Sequence, residues 1–177
     1  IMPTRRGSVG TMKANPTLQL RFNKNRGGLR CDRYAEDEAK LIVKADDKVI
    51  WVKNDYKLML FNGEIGKVSW INEEDGSLGI NFGEREVTVP ALVRGYSPYH
   101  GRIIAYDPRK QIELGYAVTT HKAQGSEFGT VVYCISRSSP FLLDRRNFYT
   151  AVTRAKRNVI VIADRTAMRY ALRKANV

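Results

Sequence analysis

Two stretches of this sequence combine residue types that bind phosphate groups. The first runs from Tyr116 to Phe128 and holds two threonines, a histidine, a lysine, a glutamine and a glutamate around Gly125. The second runs from Asp144 to Asn158 and places Arg154 between a threonine and an alanine. Hydroxyl, ammonium and guanidinium groups donate to phosphate oxygens, and a carboxylate accepts from a ribose hydroxyl. We therefore expect a ligand or solvent to satisfy the polar groups of the first stretch.

Each stretch leads into an apolar run of strand length. Thr130-Val-Val-Tyr-Cys-Ile135 follows the first, and Val159-Ile-Val-Ile-Ala163 follows the second. Such runs predict strands buried on both faces, as in a parallel sheet covered by helices. Strand, helix and strand in this order make a βαβ unit. Because burying polar groups costs free energy, we expect those crowded before the first strand to line a cleft.

The same residues resemble two motifs of superfamily 1 helicases. Thr119-Thr-His-Lys-Ala-Gln-Gly-Ser-Glu-Phe128 is similar to motif V, and Tyr149-Thr-Ala-Val-Thr-Arg-Ala155 is similar to motif VI. With Tyr116-Ala before it, the sequence of motif V most resembles that of the RecD/TraA branch of DNA helicases. Motif IV is matched near the start of the chain by Pro3, Arg6, Gly7 and Gly10. The resemblance implies an α/β fold of RecA-like (P-loop NTPase-type) architecture, the second such domain of a helicase motor.

On the nucleotide side, the resemblance implies catalytic roles for Arg154, Arg6 and Gln124. Arg154 matches the arginine finger, whose planar, permanently charged fork suits the charge spread over a transferring phosphoryl group. Arg6 would help to hold the terminal phosphate, and Gln124 would report the nucleotide state. Gly125 and Glu127 are assigned to nucleotide binding.

On the DNA side, the resemblance assigns residues of motif V to the sugar-phosphate backbone. We expect a short helix from Ala117 to Gln124 to present its N-terminal amides to a phosphate. In motif VI, Tyr149 and Val152 are expected to anchor a helix through its apolar face. The motif V residues assigned to DNA are Thr119, Thr120, His121 and Lys122.

Simpler interpretations of these residues remain open. Arg154 and the basic residues after it could only complement the C-terminal end of a helix dipole. His121, taken alone, could be a helix-capping or core histidine. The residues around Arg6 could be a disordered basic terminus instead of a strand end followed by a helix from Met12 to Phe22.

The hydrophobic periodicity changes between Asp46 and Val89. Short segments rich in β-branched and aromatic residues are separated there by turn signals such as Asn62-Gly63. They predict a small antiparallel β-barrel of SH3-like type, at residues 46–89, inserted into a RecA-like domain formed by 1–45 and 90–177. The predicted strands are Lys48–Lys53, Ile65–Ile71, Ser77–Phe82 and Glu86–Val89.

In the family that the chain resembles, such a barrel lies over single-stranded DNA. Lys53, Tyr56 and Lys57 then form an electrostatic and stacking platform. The alternative is that the aromatic residues Trp51, Tyr56 and Trp70 are barrel core. Beyond the barrel, we expect a hairpin in which Arg102–Tyr106 pairs with Gln111–Leu114.

The charge balance favours a polyanionic partner. Lys and Arg number 30 against 18 Asp and Glu, a formal net charge of +12. Nucleic acid is the first candidate, because each neutralised phosphate releases counterions; the alternative is that the charge only maintains solubility. No apolar run approaches the length of a membrane span. Without a signal peptide, and with Cys31 and Cys134 far apart, we expect a cytoplasmic protein with free thiols and no metal site.

The resemblance also implies a cofactor and partners. ATP with Mg²⁺ is the expected cofactor, yet the sequence has no Gly-x-x-x-x-Gly-Lys-Ser/Thr phosphate cradle and no acidic Walker B pair. We expect these, and the metal, to belong to an N-terminal RecA-like domain of the same protein, so that this chain alone is inactive. The predicted function is the C-terminal motor half of an ATP-dependent DNA helicase that moves 5′ to 3′ on single-stranded DNA. Alternatives are the RecD-like alpha subunit of an exodeoxyribonuclease V complex, with recombination or nuclease subunits as partners, and a non-catalytic nucleic-acid-binding module.

Overall fold

The structure is a computed structural model that describes residues 1–7, 9–31, 41–97, 101–137 and 143–173. The chain forms two compact units. Unit 1 consists of Ile1–Leu18 with Tyr116–Val177, and unit 2 of Gln19–Gly115. The described helices are α1 (Thr11–Phe22), α2 (Arg145–Val152) and α3 (Arg165–Arg173). The described strands are β1 (Leu29–Arg30), β2 (Ile42–Val43), β3 (Lys48–Trp51), β4 (Ile65–Ile71), β5 (Leu78–Asn81), β6 (Glu86–Val89), β7 (Val93–Ser97), β8 (Arg102–Tyr106), β9 (Ile112–Leu114), β10 (Phe128–Ile135) and β11 (Ala155–Ala163).

Unit 1 is built on parallel strand pairing. Strands β10 and β11 pair in parallel from Val131↔Val159 to Ile135↔Ala163. Ile1 adds to the other side of β10, since its amino group donates to the Val132 carbonyl (2.6 Å) and its carbonyl accepts from the Cys134 amide (3.1 Å). Met2 forms a parallel bridge with Thr119. The predicted α/β architecture with a parallel sheet is therefore confirmed.

Strand β10 is buried on one face only, and β11 has no buried residue on either face. Alternate residues of β10 pack with the small residues of α2 and α3 in one apolar core made by Val131, Tyr133, Ile135, Leu143, Ala151, Ala167 and Ala171. On the other face Val132, Ile160 and Ile162 are exposed. The prediction of strands buried on both faces is wrong for this chain, because the two helices cover one side of the pair.

Helix α2 begins after Asp144, whose carboxylate accepts from the Asn147 amide (2.7 Å). This is the N-cap bond that satisfies a first-turn amide. The buried residues of the helix are Asn147 and Ala151, one turn apart. Tyr149 is 69% exposed. The prediction that Tyr149 anchors this helix is wrong, because its position on the helix faces away from the side that Asn147 and Ala151 bury.

Unit 2 is dominated by a five-stranded antiparallel sheet in the order β6-β5-β4-β3-β9. The four strands predicted between residues 46 and 89 are all present, within one or two residues at their ends. Trp51 is buried in the core of this unit, whereas Trp70 and Tyr56 are exposed. The indole nitrogen of Trp70 donates to the Glu86 carboxylate (2.6 Å). The core interpretation of the aromatic residues is therefore correct for Trp51 and wrong for the other two.

The hairpin predicted beyond the insert is wrong. Strand β8 pairs with β7, not with β9. Between β8 and β9, Pro108–Gln111 forms a 3-10 turn that Asp107 caps by accepting from the Arg109 amide. Strand β9 then joins the large sheet beside β3, where Ile112 and Leu114 are buried. The sheet thus includes a strand outside residues 46–89, and the limits of the insert and its SH3-like type remain predictions.

Helix α1, predicted from Met12 to Phe22, is confirmed, and its buried stripe is polar. Thr11, Asn15 and Gln19 are buried at a spacing of four, followed by Asn23 just after the helix. In unit 1 the Asn15 amide exchanges two hydrogen bonds with the Ala117 backbone (2.6 and 3.0 Å). In unit 2 Gln19 and Asn23 donate to the fully buried carboxylate of Asp47. Asn15, Gln19 and Asn23 are tolerated in the interior because each side chain has a hydrogen-bond partner.

Candidate functional site

The loop that carries motif V is a series of turns. The Ala123 amide donates to the Thr119 carbonyl (3.0 Å), and the amides of Gln124 and Ser126 donate to carbonyls three residues back. The helix predicted from Ala117 to Gln124 is therefore wrong, and no helix N-terminus is available there for a phosphate. Gly125 has a φ of +83° and open space around it. Its predicted role in a sharp reversal is supported, because the backbone angle itself favours glycine.

The two threonines of motif V lie in different environments. The Thr119 hydroxyl accepts from the Lys122 amide (3.3 Å), which closes the first turn of the loop. Thr120 is only 2% exposed, and its hydroxyl donates to the Asn147 side-chain oxygen (2.9 Å). A buried, bonded hydroxyl cannot reach a DNA backbone, so direct contact through the Thr120 side chain is not available in this structure. His121 and Gln124 are exposed, and Lys122 is half-buried.

Asn147 connects this loop to helix α2 through a buried polar cluster. Its side-chain oxygen accepts from the Thr120 hydroxyl and from the Tyr133 hydroxyl, each at 2.9 Å. Burial raises the pKa of Tyr133 to about 12, so its hydroxyl remains a donor at neutral pH. The sequence analysis missed Asn147. The signal available was a polar residue four positions before Ala151, on the stripe that the helix buries.

Motifs V and VI meet where β10 and β11 begin. The Phe128 amide donates to the Arg154 carbonyl (2.8 Å), and the Glu127 carboxylate forms an ion pair with Lys156 (2.9 Å). The half-buried Arg154 side chain donates through Nε to the Thr150 carbonyl (3.2 Å). The sequence analysis did not assign Lys156 to the site. The structure thus brings together Glu127 and Arg154, both of which the resemblance placed on the nucleotide side.

Lys156 is the main cause of the lowered pKa of Glu127, with a smaller contribution from Arg154. A depressed carboxyl pKa means that the ion pair is formed above the ordinary value of 4.5 and is lost as pH falls through the lowered value. We expect Lys156→Ala to return the pKa of Glu127 towards 4.5, measured by NMR titration of the carboxyl carbon. Arg157→Ala, one residue further on, should leave that pKa low. A pKa of Glu127 at or above 4.5 in the unaltered chain would contradict this assignment.

Arg6 lies in a tight loop before α1. Gly7 has a φ of +99°, and a Cβ at Gly10 would come within 2.5 Å of the Arg5 and Arg6 carbonyl oxygens. These two glycines therefore have backbone reasons to be glycine. The Arg6 side chain is exposed, and in the described part of the chain no hydrogen bond or ion pair joins it to Arg154 or Glu127. Its contact with a nucleotide stays a prediction.

The predicted platform of unit 2 is an exposed loop held by one carboxylate. Asp55 accepts from the Lys57 and Leu58 amides (3.0 and 3.1 Å) and from the Tyr106 hydroxyl (2.7 Å). Tyr56 is 72% exposed. Its ring meets Phe61 edge-on at 6.2 Å. Lys53 is exposed too, whereas the Lys57 ammonium donates to the Arg94 carbonyl (2.8 Å).

The described residues fit part of an ATP site and none of a metal site. Arg154 carries donors for phosphate oxygens, and Gly125 leaves open space beside the loop. No group of three or more His, Cys, Asp or Glu side chains within the described ranges could hold a metal ion. No helix of the described chain is long and apolar enough to cross a membrane.

Comparison with known proteins points to helicases. Residues 114–162 match the model of the UvrD-like helicase C-terminal domain. Over 156 residues the chain is 35% identical to the ATP-dependent RecD2 DNA helicase of Deinococcus radiodurans, covering 88% of this chain and 18% of that protein. It is 33% identical over 125 residues to the RecBCD enzyme subunit RecD of Mycobacterium tuberculosis, covering 70% of this chain and 19% of that subunit. The chain therefore spans about a fifth of the length of these relatives.

A solved structure shares the fold. The Pif1 helicase from Bacteroides, crystallised with ADP-AlF3 and single-stranded DNA, aligns with a TM-score of 0.65 and 18% identity. The alignment covers 99% of this chain and 42% of that one. At this identity the likeness shows the fold alone, a mixed α/β fold of the kind found in superfamily 1 helicases. The resemblance carried by motifs V and VI is confirmed.

Proposed function

We propose that this chain, a relative of the C-terminal region of RecD-type superfamily 1 helicases, is the second RecA-like half of an ATP-dependent DNA helicase. The observation that carries the proposal is the meeting of motifs V and VI, where Phe128 bonds to Arg154 and Glu127 pairs with Lys156. Two loops that are far apart in sequence thereby present a guanidinium and a carboxylate at one end of a parallel strand pair.

On the nucleotide side, Arg154 is proposed as the arginine finger. Its Nε donates a hydrogen bond to the Thr150 carbonyl, which orients the guanidinium. The guanidinium would donate hydrogen bonds to the oxygens of the terminal phosphate, where negative charge develops in the transition state. Gly125, Glu127 and Gln124 would form the rest of this wall of the ATP site, with Arg6 as a further phosphate contact. ATP supplies the phosphoryl group whose transfer drives movement, and Mg²⁺ would be held by the N-terminal RecA-like domain.

On the DNA side, Thr119, His121 and Lys122 are proposed to contact the backbone of single-stranded DNA. The buried Thr120 is proposed to position this loop, because its hydroxyl is fixed to Asn147. In unit 2, Lys53, Tyr56 and Lys57 are proposed as the platform of an SH3-like insert, in which the exposed ring of Tyr56 stacks on a base. Movement from 5′ to 3′ follows the family analogy.

Single-strand binding by the complete helicase tests this proposal. Lys122→Ala should weaken binding and make log affinity fall less steeply with log salt by about 0.7, the slope expected for one phosphate of a single strand. The Lys122→Ala variant should lose ATP turnover only when DNA is limiting, and its turnover should recover at saturating DNA. Lys67→Ala is the matched control, because its ammonium already pairs with Asp46 (2.6 Å). An unchanged salt slope in the Lys122 variant would contradict the DNA assignment of motif V.

A second candidate function is supported by the RecD relatives. Similarity to RecBCD subunits of several bacteria favours a RecD-like alpha subunit that works within an exodeoxyribonuclease V complex. The motor chemistry would be the same, and only the partners would differ. Affinity purification of the complete protein distinguishes the two, since the second requires nuclease subunits to co-purify in fixed proportion.

A further inference from the structure

We propose that one face of the β7–β8 hairpin is an additional binding surface for single-stranded nucleic acid. The proposal rests on the single-strand binding proposed above and adds a site outside both helicase motifs and outside the Lys53–Lys57 platform. Nothing in the sequence analysis pointed to this hairpin, because β8 was expected to pair with β9.

One face of the hairpin is exposed along its described length. The register pairs Tyr96 with Ile103 and Arg94 with Ala105, so these four side chains share a face. Tyr96 is 64% exposed and Ile103 is 71% exposed, and Arg94 and Ala105 are exposed with them. Of the alternate positions, Gly95 is buried, Val93, Ile104 and Tyr106 are half-buried, and Arg102 is exposed. A large aromatic and a large aliphatic side chain opposite each other in water indicate an interaction surface.

The hairpin is attached to the loop that carries the platform. The Lys57 ammonium donates to the Arg94 carbonyl (2.8 Å) and lies over Gly95, where an added Cβ would be 1.8 Å from it. At the base of β8, the Tyr106 hydroxyl donates to Asp55, the carboxylate that holds the platform loop. The exposed face is therefore fixed in place relative to Tyr56, within one compact unit.

Charge and residue type identify the occupant. The exposed face carries Arg94 and Tyr96, and the sequence from Val93 to Tyr106 holds no aspartate or glutamate. A basic segment with an exposed aromatic ring and no carboxylate complements a polyanion that carries flat bases. Single-stranded nucleic acid has both features: Arg94 would neutralise a phosphate, and Tyr96 would stack on a base. Ile103 would extend the apolar surface against which that base packs.

Fluorescence anisotropy with a short oligothymidylate and the 177-residue chain provides the test. Tyr96→Ala should weaken binding by about 5- to 100-fold, the effect of losing one stacked base. Tyr96→Phe should bind like the unaltered chain, because the ring is retained. Leu92→Ala, a truncation of an exposed apolar residue next to the hairpin, should have no effect. Arg94→Ala should lower the salt slope by about 0.7.

The outcomes separate this inference from the proposed function. If the unaltered chain binds the oligonucleotide and Tyr96→Ala binds equally well, the hairpin surface is refuted while single-strand binding stands. If Tyr96→Phe loses as much affinity as Tyr96→Ala, stacking is refuted. If the unaltered chain does not bind the oligonucleotide, both the single-strand binding proposed for this chain and the hairpin surface are refuted.

Discussion

Arg154→Ala is expected to lower the DNA-saturated ATP turnover of the complete helicase by about 10³-fold or more. The guanidinium acts on charge that grows at the terminal phosphate, so its loss raises the barrier without a comparable loss of binding. Single-strand affinity should stay within about twofold of the unaltered protein, because no DNA contact is assigned to this side chain. Arg154→Lys should also be severely impaired, since an ammonium keeps the charge and loses the planar fork.

The matched control for Arg154 is Arg157→Ala. Arg157 is three residues further on, in strand β11, and its guanidinium lies against the Gly129 backbone, where an added Cβ would be 2.9 Å away. Turnover of this variant should remain near normal. If Arg154→Ala keeps near-normal turnover at saturating DNA, the arginine has only the electrostatic role of a charge near a helix end, and the motif VI assignment fails.

Asn147→Leu is expected to destabilise unit 1 by roughly 1–3 kcal/mol, the cost of one buried donor left without a partner. The substitution preserves shape but removes the acceptor shared by the Thr120 and Tyr133 hydroxyls (2.9 Å each). The Thr120 hydroxyl keeps the Met2 carbonyl as an acceptor (3.4 Å), whereas the buried Tyr133 hydroxyl loses its acceptor. Hydrogen exchange of the 177-residue chain, followed in peptides from β10 and α2, measures the opening free energy where the cluster lies.

Single removals of the donors give a graded comparison. Thr120→Val and Tyr133→Phe each remove one donor and leave the Asn147 oxygen with the other, so each should cost about 1 kcal/mol. Asn158→Leu changes an exposed asparagine on β11 and should be nearly neutral. A loss below about 0.5 kcal/mol in Asn147→Leu would show that the cluster does not hold the motif V loop to α2.

The sequence alone determined the strands that follow each motif and the class of protein. The apolar runs after each motif became β10 and β11, because β-branched residues favour the extended backbone of a strand. The strands between residues 46 and 89 were also found, since turn signals separate them. Motifs V and VI carried the helicase resemblance because their residue types are those that phosphate and ribose chemistry requires.

Tertiary structure decided which residues are presented to a ligand. Thr120 and Asn147 are polar, yet they face each other in the interior, and only the three-dimensional distance between two loops shows it. Tyr149 has an aromatic ring and is still exposed, because helix α2 buries the stripe that contains Asn147 and Ala151. The partner of β8 could not be derived from sequence either. Strand pairing depends on contacts distant along the chain, here between β9 and β3, and local periodicity carries no information about them.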